Sequence, residues 1–123
     1  MSQNLFRNSD GSIRNILDNV EGIVFNENPL DFFIILARYK FGTRFIKKTH
    51  KVIDVGCGHG LGSVFLSKYG NSIIGADLDK DLVTTNNSNY KKIKNLQFKH
   101  FDLLNPSKSF FHKFDVVISM DVI

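Results

Sequence analysis

Cysteine is nearly missing from this chain: Cys57 is the only one in 123 residues. An internal disulfide and a cysteine-rich metal site are thereby excluded, which suits a reducing compartment. The four histidines, His50, His59, His100 and His112, show no metal-ligand spacing. Long apolar runs are also lacking, with nothing near the roughly 18 residues that a membrane span needs. The opening M-S-Q-N-L-F-R-N has no signal-peptide apolar stretch. A cytoplasmic protein is the expectation.

What the chain does have is 42% hydrophobic residues, enough at this length for one small domain with a core. Its 12 phenylalanines are expected in that core and in helix packing. The net charge is +4, and Arg38, Lys40, Arg44, Lys47, Lys48 and Lys51 crowd one segment. A basic cluster invites a nucleic-acid reading. These cations, however, fall on or just after one amphipathic helix, where they solvate its outer face and suit the negative end of its dipole.

Residues 1–28 are polar, asparagine-rich and weakly patterned, with at most a short helix around Ser12–Val20, and read as an arm or lid. Asn28-Pro29 then gives a helix start, with Asp31 in the first turn. Phe32, Ile35, Leu36, Tyr39, Thr43 and Ile46 recur at helical offsets and form the expected inner face. Beyond them short apolar runs alternate with helical stretches, the pattern of βαβ units. Strands are expected at Lys51–Val55, Ser72–Asp77, Leu96–Phe101 and Phe114–Met120. A helix carrying Leu61, Val64 and Phe65 stops at Gly70-Asn71. A second follows Asp79, its inner face made of Leu82, Val83, Asn86 and Tyr90. The crossover from Leu103 to Lys113 contains Pro106 and is too short for more than a helical turn or two.

The fold class is therefore α/β: a three-layer Rossmann-like arrangement around a mostly parallel sheet. The third strand alternates like a half-buried edge, whereas Val116-Val117-Ile118 is apolar on both faces and reads as central. Right-handed crossovers then give the order 3-2-1-4, with the winding reversing between strands one and four. Ligands of open α/β sheets bind at that reversal. A central strand with nothing after it implies that the domain, residues 29–123, is partial and that later strands are missing.

The stretch K-V-I-D-V-G-C-G-H-G-L-G-S, from Lys51 to Ser63, stands at the reversal. Its glycines let the backbone turn sharply and approach a ligand. A phosphate-cradling Walker loop needs a lysine after the last glycine, and none is there. A dinucleotide fingerprint fits poorly, because Leu61, or Ser63 on the later register, stands where the third glycine belongs. An NAD-binding domain stays as an alternative.

D-V-G-C-G-H-G resembles the cofactor loop of class I S-adenosylmethionine-dependent methyltransferases. I-I-G-A-D-L-D resembles that family's second strand with its terminal acid, F-K-H-F-D-L-L its third strand with a following aspartate, and F-D-V-V-I-S-M-D-V-I its fourth. The four segments come in the family's order and cover residues 51–123.

That resemblance implies S-adenosylmethionine as cofactor, with S-adenosylhomocysteine as product. It implies that Asp77 accepts the ribose hydroxyls, Leu78 covers the adenine, Asp102 accepts from the adenine amino group, and the Leu103 N–H faces a ring nitrogen. The backbone of Gly56, Cys57, Gly58 and Gly60 approaches the methionine portion and ribose. Asp54 organises the loop or reaches the amino group, and the Ser119 and Met120 backbone lines the other side. Asp79 can cap the following helix alone, which leaves Asp77 for the ligand.

Cys57 sits where a small residue is needed and has no partner base, so it is not read as a nucleophile. Arg38 or Lys40 could reach the cofactor carboxylate, though a solvent-facing cation is the plainer reading. The resulting expectation is methyl transfer to a small-molecule acceptor, with no catalytic residue nameable and no metal. A non-enzymatic binding or assembly module on the same fold is the alternative class.

Overall fold

The structure is a computed structural model that describes Asp10 and residues 28–120. The expected helix at Ser12–Val20 and almost all of the arm lie outside the described residues. Two units divide the chain, Met1–Ile34 and Ile35–Ile123. The boundary falls inside the first described helix, and the second unit carries the sheet.

Helix α1 spans Pro29–Gly42, with Asp31 in its first turn, and a 3-10 turn follows at Thr43–Phe45. Strand β1 is Lys51–Val55, helix α2 Leu61–Leu66, strand β2 Ser72–Asp77 and helix α3 Lys80–Asn89. Strand β3 is Leu96–His100, a second 3-10 turn is Lys108–Phe110, and strand β4 is Val116–Ser119. The sheet runs β3-β2-β1-β4 with every neighbouring pair parallel. No described helix is long and apolar enough to cross a membrane.

Local chemistry accounts for the element ends. The Asp79 carboxylate accepts from the Asp81 and Leu82 N–H groups and so starts α3. Asn28 does not cap α1 in that way: its amide donates to Asp31 at 2.6 Å, while its carbonyl takes the Phe32 N–H. Proline at the first helical position leaves one fewer N–H to satisfy. Asn87 closes the outer edge of β3 by donating to the Phe98 carbonyl and accepting the Phe98 N–H, both at 2.9 Å. A side-chain amide thus does what a further strand would do for that stretch.

The two sheet faces are covered unequally. Val52, Ile73, Leu96, Phe98 and Ile118 meet Tyr39 of α1 and Leu66 of α2, with Val83 and Tyr90 packed alongside. The other face holds Ile53, Val55 and Ala76 under Phe101, Phe110 and Phe114. Among the described residues, that second layer is a crossover with one 3-10 turn rather than a full helix.

Several expectations need correction. Strand β3 ends at His100 and β4 is confined to Val116–Ser119. Phe101 and Phe114 leave the ladder to pack on the second face. As expected, β4 is the last strand of the described sheet, and its apolar Val117 is 66% exposed. On α1, Tyr39 is buried while Ile35 is exposed. The buried stripe is narrower than its spacing suggested, and Gly42, also buried, lies close to Ile118. Phe33, Phe41, Phe45 and Phe111 are exposed, so not every phenylalanine is a core residue.

Candidate functional site

Strand order aligns the carboxyl ends that build the site. Val55 pairs with Ala76 on one side and Ser119 on the other, and Asp77 pairs with His100. The loop leaving β1 is therefore flanked by the acid ending β2 and by the end of β4. This is the topological switch point expected of an open sheet.

The loop is held open by backbone bonds. The Gly56 and Cys57 N–H groups both donate to the Ala76 carbonyl, at 2.7 and 3.1 Å, and the Gly60 N–H closes a turn onto the Cys57 carbonyl. Gly56, Gly58 and Gly60 adopt φ values of 76°, 56° and 87°, a region costly for any residue with a Cβ. At Gly60 a Cβ would also lie 2.7 Å from the Phe98 ring. At Gly58 nothing stands within 4 Å of a Cβ. That open space on the loop is a cradle that a side chain would fill and a ligand can occupy.

Asp77 fastens this cradle. One carboxylate oxygen accepts the Gly58 N–H at 2.9 Å and the other the Asp79 N–H at 3.0 Å. From the opposite side, Asn86 of α3 donates to the Gly58 carbonyl at 2.8 Å and is 1% exposed. Gly58 is thus gripped through both its N–H and its C=O. Asn86 had been read only as part of a helix face; a polar residue at an inner position of a weakly apolar helix was the available signal.

Asp54 is the buried acid of the site, at 0% exposure. It accepts from the Tyr39 hydroxyl at 3.2 Å to each oxygen and from the Ser63 hydroxyl at 2.7 Å. Burial pushes its carboxyl up from 3.8 to about 6, against the opposing pull of the Ser63 and Tyr39 hydrogen bonds. Asp54 lies fully covered beneath the loop. Gly62 makes the Tyr39 contact possible, since a Cβ there would fall 2.0 Å from the tyrosine ring. Neither Tyr39 nor Ser63 was legible as a partner of Asp54, because both bonds join separate elements.

The remaining expected residues fall as follows. Leu78 and Leu103 are exposed beside the acid-bearing ends of β2 and β3. Asp102 is half-buried and accepts the Leu104 N–H at 2.9 Å in an Asx turn. Ser119 is exposed at the end of β4, and Met120 packs partly on the helix-side core. Cys57 is buried, and burial first, then the Asp54 and Asp77 charges, pushes its thiol up to about 12. Such a thiol is not a nucleophile at neutral pH. No group of three or more histidine, cysteine, aspartate or glutamate side chains able to hold a metal occurs among the described residues.

Residues 52–123 match the family described as a methyltransferase domain. No curated protein matches the chain. Among solved structures, a dimethyladenosine transferase from Plasmodium falciparum shares 26% identity at a TM-score of 0.59, covering 70% of this chain and 30% of that one. A TehB-like SAM-dependent methyltransferase from Corynebacterium glutamicum shares 22% identity at 0.57, covering 80% and 55%. The YcgJ protein from Bacillus subtilis shares 23% at 0.55, covering 68% and 37%. The chain thus spans about a third to a half of these proteins.

Proposed function

The chain belongs to the methyltransferase-domain family, and from that premise we propose that its glycine-loop crevice binds S-adenosylmethionine for methyl transfer to a small-molecule acceptor. The cofactor supplies an already activated methyl group. The protein's part is to align the reactants and exclude water. Spanning a third to a half of its structural neighbours, the chain supplies the cofactor-binding half, and the acceptor surface lies elsewhere. The single cysteine is consistent with work in a reducing cytoplasm.

The observation that carries this reading is the Gly58 cradle, open above and tied to Asp77 beside it. Each Asp77 oxygen already takes one backbone N–H, and a carboxylate offers about four lone-pair sites. Two sites therefore remain for a pair of ribose hydroxyls. The exposed Leu78 and Leu103 side chains offer apolar surface to an adenine ring, with Asp102 as acceptor for its amino group. The backbone of Gly56, Cys57, Gly58 and Gly60 approaches the methionine portion, and the Ser119 and Met120 backbone borders the opposite wall. Asp54 acts through Ser63 and Tyr39 rather than by contact.

Calorimetric titration with S-adenosylhomocysteine tests the reading. Saturable binding is expected, weakened at least about tenfold by Asp77→Ala, the loss of a charge-assisted pair. No heat from the folded chain would overturn the cofactor assignment. Unchanged affinity in the variant would overturn the role of Asp77, and binding of NAD instead would return the site to the dinucleotide class.

A further inference from the structure

We propose that the cleft on the second sheet face is a separate binding site for a phosphate-bearing ligand, a nucleotide being the class that fits. Lys51, Lys99 and Lys113 line one cleft of about 300 Å³. Lys51 faces Ser72 across the β1–β2 ladder, and both are the first residues of their strands. The glycine loop leaves the opposite end of β1, a strand length of about 13–17 Å away at 3.3 Å per residue. The two sites share no residue.

Three lysines lining one small cleft give that part of the surface a positive potential that favours an anion. None of the three lysines forms an ion pair with a described residue. The Asp115 carboxylate, which is not part of that lining, accepts the Lys51 backbone N–H at 2.8 Å. The lining thus carries three basic side chains and no acidic one. Ser72 and Ser109 also belong to the lining, the Ser109 hydroxyl lying 3.0 Å from that of Ser107, and lysine and hydroxyl donors are the complement a phosphate dianion takes.

The apolar part of the lining narrows the class. Ile74, Phe110 and Phe114 contribute to it, and the two phenylalanine rings stack at 6.4 Å and 25°. Flat aromatic groups stack on such rings. Inorganic phosphate would use only the basic side of the cleft. A mononucleotide uses both, and the volume is at the low end of small-molecule sites.

Amide-resolved NMR titration of the chain with inorganic phosphate and with uridine monophosphate tests this. A pyrimidine nucleotide is chosen so that the crevice proposed for adenosine does not contribute. Saturable shifts at Ser72, Ser109 and Phe110 are expected, with the nucleotide binding more tightly than phosphate. The triple variant Lys51→Gln, Lys99→Gln, Lys113→Gln changes exposed side chains only. It should keep the fold and bind about tenfold more weakly or worse, as charge-assisted contacts are lost. Raising salt should weaken wild-type binding, since exposed charges are screened. Shifts confined to residues 56–60, unchanged binding in the triple variant, or no saturable shift at all would each overturn the proposal. So would binding of a uridine oligonucleotide with none of the mononucleotide. Failure here leaves the S-adenosylhomocysteine titration unaffected, because the cleft and the crevice use different residues.

Discussion

The Tyr39 hydroxyl lies 3.2 Å from each carboxylate oxygen of Asp54, tying the helix before the sheet to the strand that feeds the glycine loop. The contact is possible because Gly62 has no side chain where the tyrosine ring passes. Ser63, the next residue, supplies the other hydroxyl to the same carboxylate. Asp54 is a buried acid held by two hydroxyls.

Its titration sets a pH dependence. The folded carboxyl stands at about 6 against 3.8 in an exposed chain, so between those values the folded state holds more protons than the unfolded one. Stability from this group is full below about 3.8 and is lost as pH rises through about 6, by about 2–3 kcal/mol. Asp54→Asn should abolish that slope. Urea denaturation of both proteins at pH 4, 5, 6 and 7 checks it; parallel pH profiles would remove Asp54 as the source.

Tyr39→Phe keeps the ring and deletes the donor. Asp54 then retains Ser63 alone, and destabilisation of about 1–3 kcal/mol is expected at pH 7, where the carboxylate is charged. The loss should shrink at pH 4, where a protonated Asp54 needs the donor less. Chemical denaturation at the two pH values measures the difference.

Gly58→Ala and Gly62→Ala should separate stability from binding. At Gly58 a Cβ meets open space, so the cost is left-handed strain of about 1–2 kcal/mol together with a blocked cradle. S-adenosylhomocysteine binding should be lost while the chain stays folded. At Gly62 a Cβ meets the Tyr39 ring at 2.0 Å, and a cost of about 3 kcal/mol or more is expected from overpacking. Thermal melts beside calorimetry decide; equal melting points for the two variants would contradict the assignment.

Asn86→Ala removes the donor to the Gly58 carbonyl. A loss of about 1–2 kcal/mol is expected from the unpaired polar group, with weaker cofactor binding, because only Asp77 would then grip Gly58. Asn86→Asp should be no better, since an ionised carboxylate cannot donate to a carbonyl. Affinity retained in both variants would show that the loop holds its shape without α3.

Cys57 should resist alkylation. It is 7% exposed with its thiol pushed up to about 12, so the thiolate is scarce at pH 8. Iodoacetamide labelling followed by mass spectrometry should be slow in buffer and rapid in denaturant. Fast labelling of the folded chain would mean that the loop opens readily.

Much of the fold was legible because its signals are local. Alternating apolar and helical stretches, the Asp79 cap and the glycine density after β1 each depend on neighbours within a few residues. They were sufficient for four parallel strands in the order 3-2-1-4 and for the placement of the loop. The ends of β3 and β4 were misjudged because Phe101 and Phe114 have strand-like character, yet fill the second face beneath Phe110 instead. Val117, apolar and 66% exposed, is the uncovered face that the strand's apolar character on both sides led one to expect in these residues.

By itself, then, the sequence determined the sheet, its winding reversal and the acids and glycines at the switch point, since periodicity and turn chemistry act along the chain. Only the tertiary structure decided what those residues do to one another. Packing made Asp54 a covered acid held by Tyr39 and Ser63, set Asn86 against the far side of Gly58, and brought Lys51, Lys99 and Lys113 to one cleft. Each of those relationships joins separate elements, and burial and hydrogen-bond geometry exist only once those elements meet.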